Sequence, residues 1–284
     1  MKKKITRIIL VISLVIFSFY YTNKSIELVR RVDPIMQEIN STKDKYRVES
    51  INAKIVNNKM IPGINGILVD EEKSYLSMKQ YGAYNEILMT FKEIKPTISI
   101  DDNYDKFIVK GNDLKKDVAL VFKINNIGNI DNIINILREK NVSSTLFIDG
   151  LLLENNLSKF KNLKDFELEL LSYDNKYNEM YFSESLNYLS SITNRSLKYC
   201  YADYDNKEVI DLCSKLKLHT IIPTIKIGNY PYQEIKKSLE NGAIIYLPNN
   251  TTTEIELSTF IDYIKQRGYN ILTLEELLSE EYEK

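Results

Sequence analysis

The second half of the chain alternates short apolar runs with amphipathic stretches, and this alternation constrains the fold more than any other feature of the sequence. The apolar runs are residues 118–122, 144–148, 166–171, 197–201, 220–223, 243–247 and 269–273. Runs that are apolar throughout suit parallel strands buried on both faces. The stretches between them place apolar residues at helical spacing, as at Ile130, Ile134 and Leu137. The alternation therefore predicts an α/β fold with a parallel sheet.

Seven strand–helix units can close into a barrel or form an open doubly wound sheet, and the periodicity does not distinguish the two. In both architectures the active face lies at the carboxyl ends of the strands. The last helix carries a predicted capping box of Thr273 and Glu276, and Gly268 is expected to terminate the helix before it.

A basic segment followed by an apolar run opens the chain. The basic residues are Lys2, Lys3, Lys4 and Arg7, and the run covers residues 8–21. A basic flank stays in the cytoplasm, so the remainder is expected outside. No cleavage site of small residues follows the run. We interpret residues 1–23 as an uncleaved signal anchor with its helix from Ile5 to Tyr21, with a cleaved signal and a buried helix as alternatives.

The rest of the chain divides into three predicted parts. Residues 24–46 are polar and amphipathic and are expected to form a juxtamembrane helical stalk. Residues 47–115 predict a small α+β domain with a strand pair around Asn57 and Asn58. This small domain has no recognisable chemical motif. Residues 116–284 form the predicted α/β domain.

The net charge and the cysteines bear on the kind of partner and on possible disulfide bonding. The formal net charge is −1, which does not favour a nucleic-acid partner. The two cysteines, Cys200 and Cys213, lie in a strand-like run and on the apolar face of a helix. We interpret them as small buried residues, with a disulfide bond as the alternative.

Four segments resemble the polysaccharide deacetylases of the chitooligosaccharide deacetylase type, the NodB homology domain. Residues 118–122 (VALVF) resemble the family's first strand and residues 144–150 (STLFIDG) its second. Residues 242–247 (GAIIYL) resemble its sixth strand, and residues 267–277 (RGYNILTLEEL) its typical ending. The resemblance covers about residues 117–279. It implies a distorted (β/α)7 barrel of the glycoside hydrolase/deacetylase type, preceded here by the anchor and the small domain.

Active members of that family use a divalent metal to remove acetyl groups from N-acetylated sugars. One Asp is the general base, a second Asp and two His hold the metal, and another His is the general acid. The residues at these positions here are Lys123, Ile124, Tyr173, Tyr177 and Pro248, and Lys198 replaces an Arg of the fourth strand. The single histidine, His219, precedes the fifth strand at the opposite end and is expected to be structural. The resemblance therefore implies a member that has lost its metal ligands and its catalysts.

Loss of the catalysts with the strand pattern intact predicts an inactive protein that needs no cofactor. The expected partner is cell-wall glycan or another envelope protein. The candidate cleft contacts are Lys123, Asn125, Tyr173, Tyr177, Lys198, Tyr201, Tyr204 and Asn249. Tyrosine rings can stack on sugar faces, although their abundance also fits composition and ordinary packing. The alternative is an active carbohydrate deacetylase or glycoside hydrolase with a rebuilt site of acidic residues.

Overall fold

The computed structural model describes residues 2–163 and 165–282, with the backbone alone at residues 2–8 and 23. The described helices are α1 (Lys2–Val32), α2 (Pro34–Thr42), α3 (Glu71–Tyr81), α4 (Ile130–Glu139), α5 (Gly150–Asn155), α6 (Leu157–Phe160), α7 (Glu179–Thr193), α8 (Lys207–Lys215), α9 (Pro231–Ser238), α10 (Thr251–Gln266) and α11 (Leu274–Leu277). The described strands are β1 (Lys54–Val56), β2 (Lys59–Ile61), β3 (Gly66–Val69), β4 (Phe91–Ile94), β5 (Phe107–Ile108), β6 (Asp117–Ile124), β7 (Thr145–Ile148), β8 (Glu167–Leu170), β9 (Tyr199–Tyr201), β10 (His219–Ile221), β11 (Ile225–Lys226), β12 (Ile244–Leu247) and β13 (Asn270–Leu272). The chain divides into a small unit, residues 1–50 with 65–94, and a large unit, residues 51–64 with 95–284.

The small unit contains the long amino-terminal helix. Within α1 the stretch Ile9–Val32 is long and apolar enough to cross a bilayer, with a mean hydropathy of 1.5. The helix continues past the predicted anchor end at residue 23 as far as Val32, because the apolar residues Leu28 and Val29 extend its pattern. The side chains of the predicted basic flank lie outside the described part of the chain.

The segment expected to be a stalk is partly built into this unit. Asp33 caps α2 by accepting a hydrogen bond from the backbone N–H of Ile35. The buried side chains that hold α2 in place are Met36, Ile39, Val69, Tyr75, Met78 and Met89. Because α2 contributes to this core, residues 34–42 are part of a packed unit, and the prediction of a free stalk over 24–46 is corrected.

The large unit has the predicted α/β architecture. Each of the apolar runs contains a strand, from β6 to β13, and β11 is an additional short strand. One sheet has the order β11-β12-β6-β7-β8 with β13 also paired to β6, and all its described pairs are parallel. The other has the order β1-β2-β5-β10-β9. Helices bury one face of the strands in the main core, and the opposite face forms a second cluster that includes Val121, Phe147 and Tyr201.

The strands form two sheets instead of one continuous ladder. Among the described residues, β8 and β9 share no ladder pairing. The carboxylate of Glu169 on β8 accepts hydrogen bonds from the backbone N–H groups of Lys198 and Tyr199 at 3.1 and 3.2 Å. A side chain therefore satisfies the N–H groups at the start of β9 that a neighbouring strand would otherwise bind.

The division into units differs from the predicted small domain over 47–115. The strand pair around Asn57 is present, with β1 antiparallel to β2. However, β2 pairs with β5, and β5 pairs with β10, so residues 51–64 and 95–115 belong to the large unit. Of the predicted domain, residues 47–50 and 65–94 belong to the same unit as α1 and α2.

Candidate functional site

The carboxyl end of β6 carries Lys123 and Ile124, the two residues that the resemblance places at the family's aspartate positions. Side chains alternate between the two faces of a strand, so Lys123 points to the same side as Val121 and Ile124 to the opposite side. Ile124 is 1% exposed and packs in the core under the helices. It therefore cannot face a ligand, whereas Lys123 lies at the strand ends on the inner face.

The ammonium group of Lys123 is held by one carboxylate and two aromatic rings. Its Nζ atom lies 2.9 Å from each carboxylate oxygen of Asp203. The same atom lies 5.0 Å from the ring centroids of Tyr201 and Tyr246. A cation at this distance from a ring is attracted to its electron-rich face. We refer to Asp203, Tyr201 and Tyr246 together as the lysine recess.

Tyr177 adjoins the lysine recess through the backbone. Its hydroxyl donates a hydrogen bond to the carbonyl oxygen of Tyr201 at 3.0 Å. Burial raises the pKa of Tyr177 and of Tyr201 far above the ordinary value of 10, and the charge of Asp203 raises both further. Both hydroxyls are therefore protonated at neutral pH. A protonated tyrosine whose hydroxyl already donates to a carbonyl is a poor ligand for a divalent metal.

Tyr173 does not join this group. Its ring stacks on Tyr181 with centroids 4.9 Å apart, and its hydroxyl donates to Glu154 at 3.2 Å. The turn after Tyr173 is built by Asp149, which is buried and accepts hydrogen bonds from the backbone N–H groups of residues 174 and 175, both at 3.1 Å. Asp149 thus has a structural role, and the turn directs Tyr173 to a different contact from Tyr177.

Lys198 lies away from the strand-end site. It immediately precedes β9, so it is at the amino end of that strand, and its Nζ atom is 2.5 Å from the carboxylate of Glu275. The prediction that Lys198 contacts the cleft is therefore corrected. The resemblance placed this residue on the fourth strand, but the strand begins one residue later and the site is at its other end.

The asparagines form a separate hydrogen-bonded group at the ends of β6 and β12. Asn249 donates from Nδ2 to the carbonyl oxygen of Asn126 at 3.1 Å, and Asn126 donates to the side-chain oxygen of Asn125 at 3.0 Å. Pro248 lies between β12 and this group. Tyr204, the remaining candidate, is 67% exposed. These residues border the strand ends, and no contact to the lysine recess is described for them.

Three contacts of the site are not among the eight predicted cleft contacts, although the sequence also places Asp203 and Tyr246 near strand ends. They are Asp203, Tyr246 and Lys226, whose Nζ donates to the carbonyl oxygen of Asp203. Asp203 follows Tyr201 by two residues at the end of β9, a spacing that places both on one face of an extended chain. That spacing was the available signal for Asp203. The contacts of Lys123 with Asp203 and with Tyr246 cannot be read from the sequence, because both partners are far away along the chain; Asp203 is 80 residues away.

The residues that the resemblance places at the family's metal positions do not fit a divalent metal. An ammonium group, a buried isoleucine and a protonated tyrosine stand where carboxylate and imidazole ligands are needed. In the part of the chain that the structure describes, no group of three or more His, Cys, Asp or Glu residues could hold a metal ion. The geometry supports an ion-paired ammonium group at the strand ends.

Comparisons with known proteins relate the chain to the family 4 carbohydrate esterases by fold. No family model matches the chain. The uncharacterized protein YlxY of Bacillus subtilis is 26% identical over 270 residues, which covers 87% of this chain and 84% of that protein. The fold matches the crystal structure of BA3943, a family 4 carbohydrate esterase (CE4) pseudoenzyme from Bacillus anthracis, with a TM-score of 0.67 and 25% identity over 88% of this chain and 97% of that chain. The peptidoglycan N-acetylglucosamine deacetylase Bc1960 shares the fold at a TM-score of 0.53 and 15% identity, over 61% of this chain and 94% of that chain.

Proposed function

Because the chain is a degenerate member of the family 4 carbohydrate esterases, the polysaccharide deacetylases, we propose that it is a catalytically inactive, membrane-anchored protein that binds cell-wall glycan outside the membrane. The observation that carries the proposal is the ion pair of Lys123 and Asp203 at the strand ends. An ammonium group at this position repels a divalent cation, and it also occupies the only carboxylate that contacts it among the described residues.

The comparison with the pseudoenzyme supports the proposal that activity is lost because catalytic side chains are replaced, and not because the fold is altered. A mutant of BA3943 is described as having restored enzymatic activity, and it matches this chain with the same TM-score of 0.67. A related fold is thus compatible with catalysis once its residues are changed. In this chain the missing elements are the side chains at positions 123, 124, 173, 177 and 248.

Glycan is the proposed ligand because aromatic and amide groups border the strand ends. Tyr204 is largely exposed, and Tyr246 is partly exposed beside the lysine recess. Exposed aromatic rings can stack on the apolar faces of sugars, and the amide of Asn249 and the half-exposed carboxylate of Asp203 can bind hydroxyl groups. Binding without chemistry is the function that this combination of groups supports.

Two further features support an extracytoplasmic location. The stretch Ile9–Val32 of α1 has the length and composition of a membrane span, and the basic residues that precede it favour a cytoplasmic amino terminus. Cys200 and Cys213 form a disulfide bond, which persists in oxidising compartments and is rare in the cytosol. We propose a single-pass protein with its large unit outside the cell membrane.

The proposal is tested with the full-length protein in detergent. We expect no acetate release from N-acetylglucosamine oligomers, no stoichiometric metal by elemental analysis, and cosedimentation with purified peptidoglycan. Tyr204→Ala should reduce the cosedimented fraction, whereas Tyr188→Ala, on α7, serves as the matched control because Tyr188 is also an exposed tyrosine. Metal-dependent turnover would establish the alternative of an active enzyme with a rebuilt site. Absence of glycan binding together with a copurifying envelope protein would leave a scaffold role.

A further inference from the structure

The lysine recess has the composition of a site for an organic ammonium ion. The carboxylate of Asp203 is bidentate to the ammonium group of Lys123, and two tyrosine rings face that group from different strands, β9 and β12. The Tyr201 hydroxyl lies 3.3 Å from the same carboxylate. A carboxylate combined with aromatic faces is the usual chemistry by which proteins bind alkylammonium groups.

We infer that Lys123 is a built-in ligand of this recess, and that its ammonium group replaces a bound metal as the cation that holds the ends of β6, β9 and β12 together. Asp203 follows β9, Tyr246 is on β12, and Lys123 is on β6. Of these strands, β6 and β12 are paired in one sheet, whereas β9 belongs to the other. The ion pair therefore joins the two sheets at their carboxyl ends, where no backbone ladder is described between β6 and β9.

The lysine recess is partly buried around the ammonium group. Tyr201 is 1% exposed and the side chain of Lys123 is 22% exposed, whereas the side chain of Asp203 is 48% exposed, so the ammonium side of the contact is sheltered and the carboxylate side is half open to water. Apart from Lys123, the described partners of Asp203 are the Tyr201 hydroxyl, which donates to its carboxylate at 3.3 Å, and Lys226, which donates to its backbone carbonyl oxygen. Attraction between an ammonium group and a carboxylate is stronger in such surroundings than at an open surface.

The recess suits an ammonium ion better than a divalent metal. A metal requires several oxygen or nitrogen lone pairs, whereas the recess offers one carboxylate and two ring faces. The second family position for an aspartate is the buried Ile124. The ligand class for the recess, once Lys123 is shortened, is therefore a primary alkylammonium ion that reproduces the missing part of the side chain.

Chemical rescue tests this inference. Lysine has a four-carbon stem, so Lys123→Ala removes the equivalent of n-propylammonium. We expect this variant of the full-length protein to have a Tm lower by roughly 2–4 °C. Added n-propylammonium chloride at about 100 mM, a concentration appropriate to a ligand of so few atoms, should recover at least about half of that loss. Equal concentrations of n-propanol or NaCl should not recover the lost Tm.

Control variants distinguish binding of n-propylammonium in the lysine recess from a general effect of the added salt or of losing a lysine. Lys123→Met fills the recess with an apolar chain of similar length, so it should not respond to n-propylammonium. Lys176→Ala removes an exposed lysine paired with Asp174 at 3.5 Å and should neither lower the Tm nor create a response. Asp203→Asn combined with Lys123→Ala should abolish the rescue.

The outcomes that overturn the inference are specific. One is a Tm of Lys123→Ala that n-propylammonium raises no more than it raises the wild-type Tm. Another is a larger increase in the Tm of Lys123→Ala with Zn²⁺ or Mg²⁺ than with n-propylammonium, which would identify a residual metal site. If Lys123→Ala does not accumulate in folded form, n-propylammonium present during refolding from urea must restore the folded yield, and failure to do so also overturns the inference.

Discussion

The carboxylate of Glu169 lies 2.8 Å from Nη2 of Arg195 in the interior of the large unit. Glu167, two residues earlier on the same face of β8, lies 3.5 Å from the same nitrogen. One guanidinium group, whose side chain is 30% exposed, therefore faces two buried carboxylates. Burial raises the pKa of Glu169 well above its usual value, and the charge of Glu167 raises it further.

This arrangement predicts an unusual pH dependence of stability. A raised pKa means that the folded state holds the proton of Glu169 more tightly than the unfolded chain does. Glu169 therefore contributes stability that is fully present below the unfolded pKa of about 4.5 and is lost as the pH rises through the folded pKa. Glu169→Gln mimics the protonated form and should make the unfolding free energy decline less between about pH 5 and pH 8, by about 1.4 kcal/mol for each unit of pKa difference.

Urea denaturation across that pH range measures the effect. Glu208→Gln, at an exposed position of α8, is the matched control and should follow the wild-type pH profile. If Glu169→Gln had the same pH slope as the wild-type protein, the carboxylate would be as easily ionised in the folded state as in the unfolded state, contrary to the prediction.

The disulfide bond makes a second prediction. Cys200 on β9 and Cys213 on α8 are both fully buried and bonded, with a sequence separation of 13. Closing a loop of this length in the unfolded chain stabilises the folded state by about 3 kcal/mol. Replacement of both cysteines by alanine should lower the unfolding free energy by roughly that amount. Alkylation and mass spectrometry of the protein from an oxidising compartment should find no free thiol, and two free thiols would contradict the pairing.

The third prediction concerns the ion pair of Lys123 and Asp203. The side chain of Asp203 is 48% exposed, so solvent screening limits the contribution of the pair to about 1 kcal/mol. Asp203→Asn should lower the unfolding free energy by about that amount, because Lys123 loses its counter-ion. The matched control is Asp174→Asn, whose partner Lys176 is also exposed, and its effect should stay within about 0.5 kcal/mol. Equal effects of the two substitutions would show that the lysine recess has no special strength.

The parallel strands of the large unit could be predicted from the sequence because burial on both faces leaves a continuous apolar run. Residues 118–122 and 243–247 are such runs, and they form the paired strands β6 and β12. The short strand β5 gave no such signal. It has two residues, and its partner β10 lies more than a hundred residues further along the chain. For that reason the extent of the small domain could not be read from local patterns.

The place of Lys123 near the carboxyl end of β6 was predictable from the sequence, but its contacts were not. Lys123 was expected at the strand ends, and it is there. Tyr173 and Tyr177 come from one segment, yet a turn with positive φ at Asp174 and Asn175 sends them to different partners. The bond between Cys200 and Cys213 depended on how α8 packs against β9, which spacing alone does not determine.

His219 provides the last prediction. It begins β10, is 6% exposed, and its ring stacks on Tyr104 with centroids 4.3 Å apart. Its Nδ1 atom is buried and has no hydrogen-bond partner among the described residues. Burial lowers the pKa of His219 from 6.5 to about 4; the charge of Asp101 opposes this shift, and the charge of Lys198 adds to it. The histidine is therefore neutral in the folded protein at physiological pH.

Protonation of His219 should oppose folding. In the unfolded chain this histidine binds a proton below about pH 6.5, but in the folded protein only below about pH 4. Stability should therefore fall as the pH falls through this window, by up to about 3 kcal/mol, opposite in sign to the effect of Glu169. His219→Phe keeps a ring against Tyr104 and should remove this dependence. Because the chain has one histidine, its imidazole proton NMR signals are unambiguous, and a folded-state titration midpoint near 6.5 would contradict the prediction.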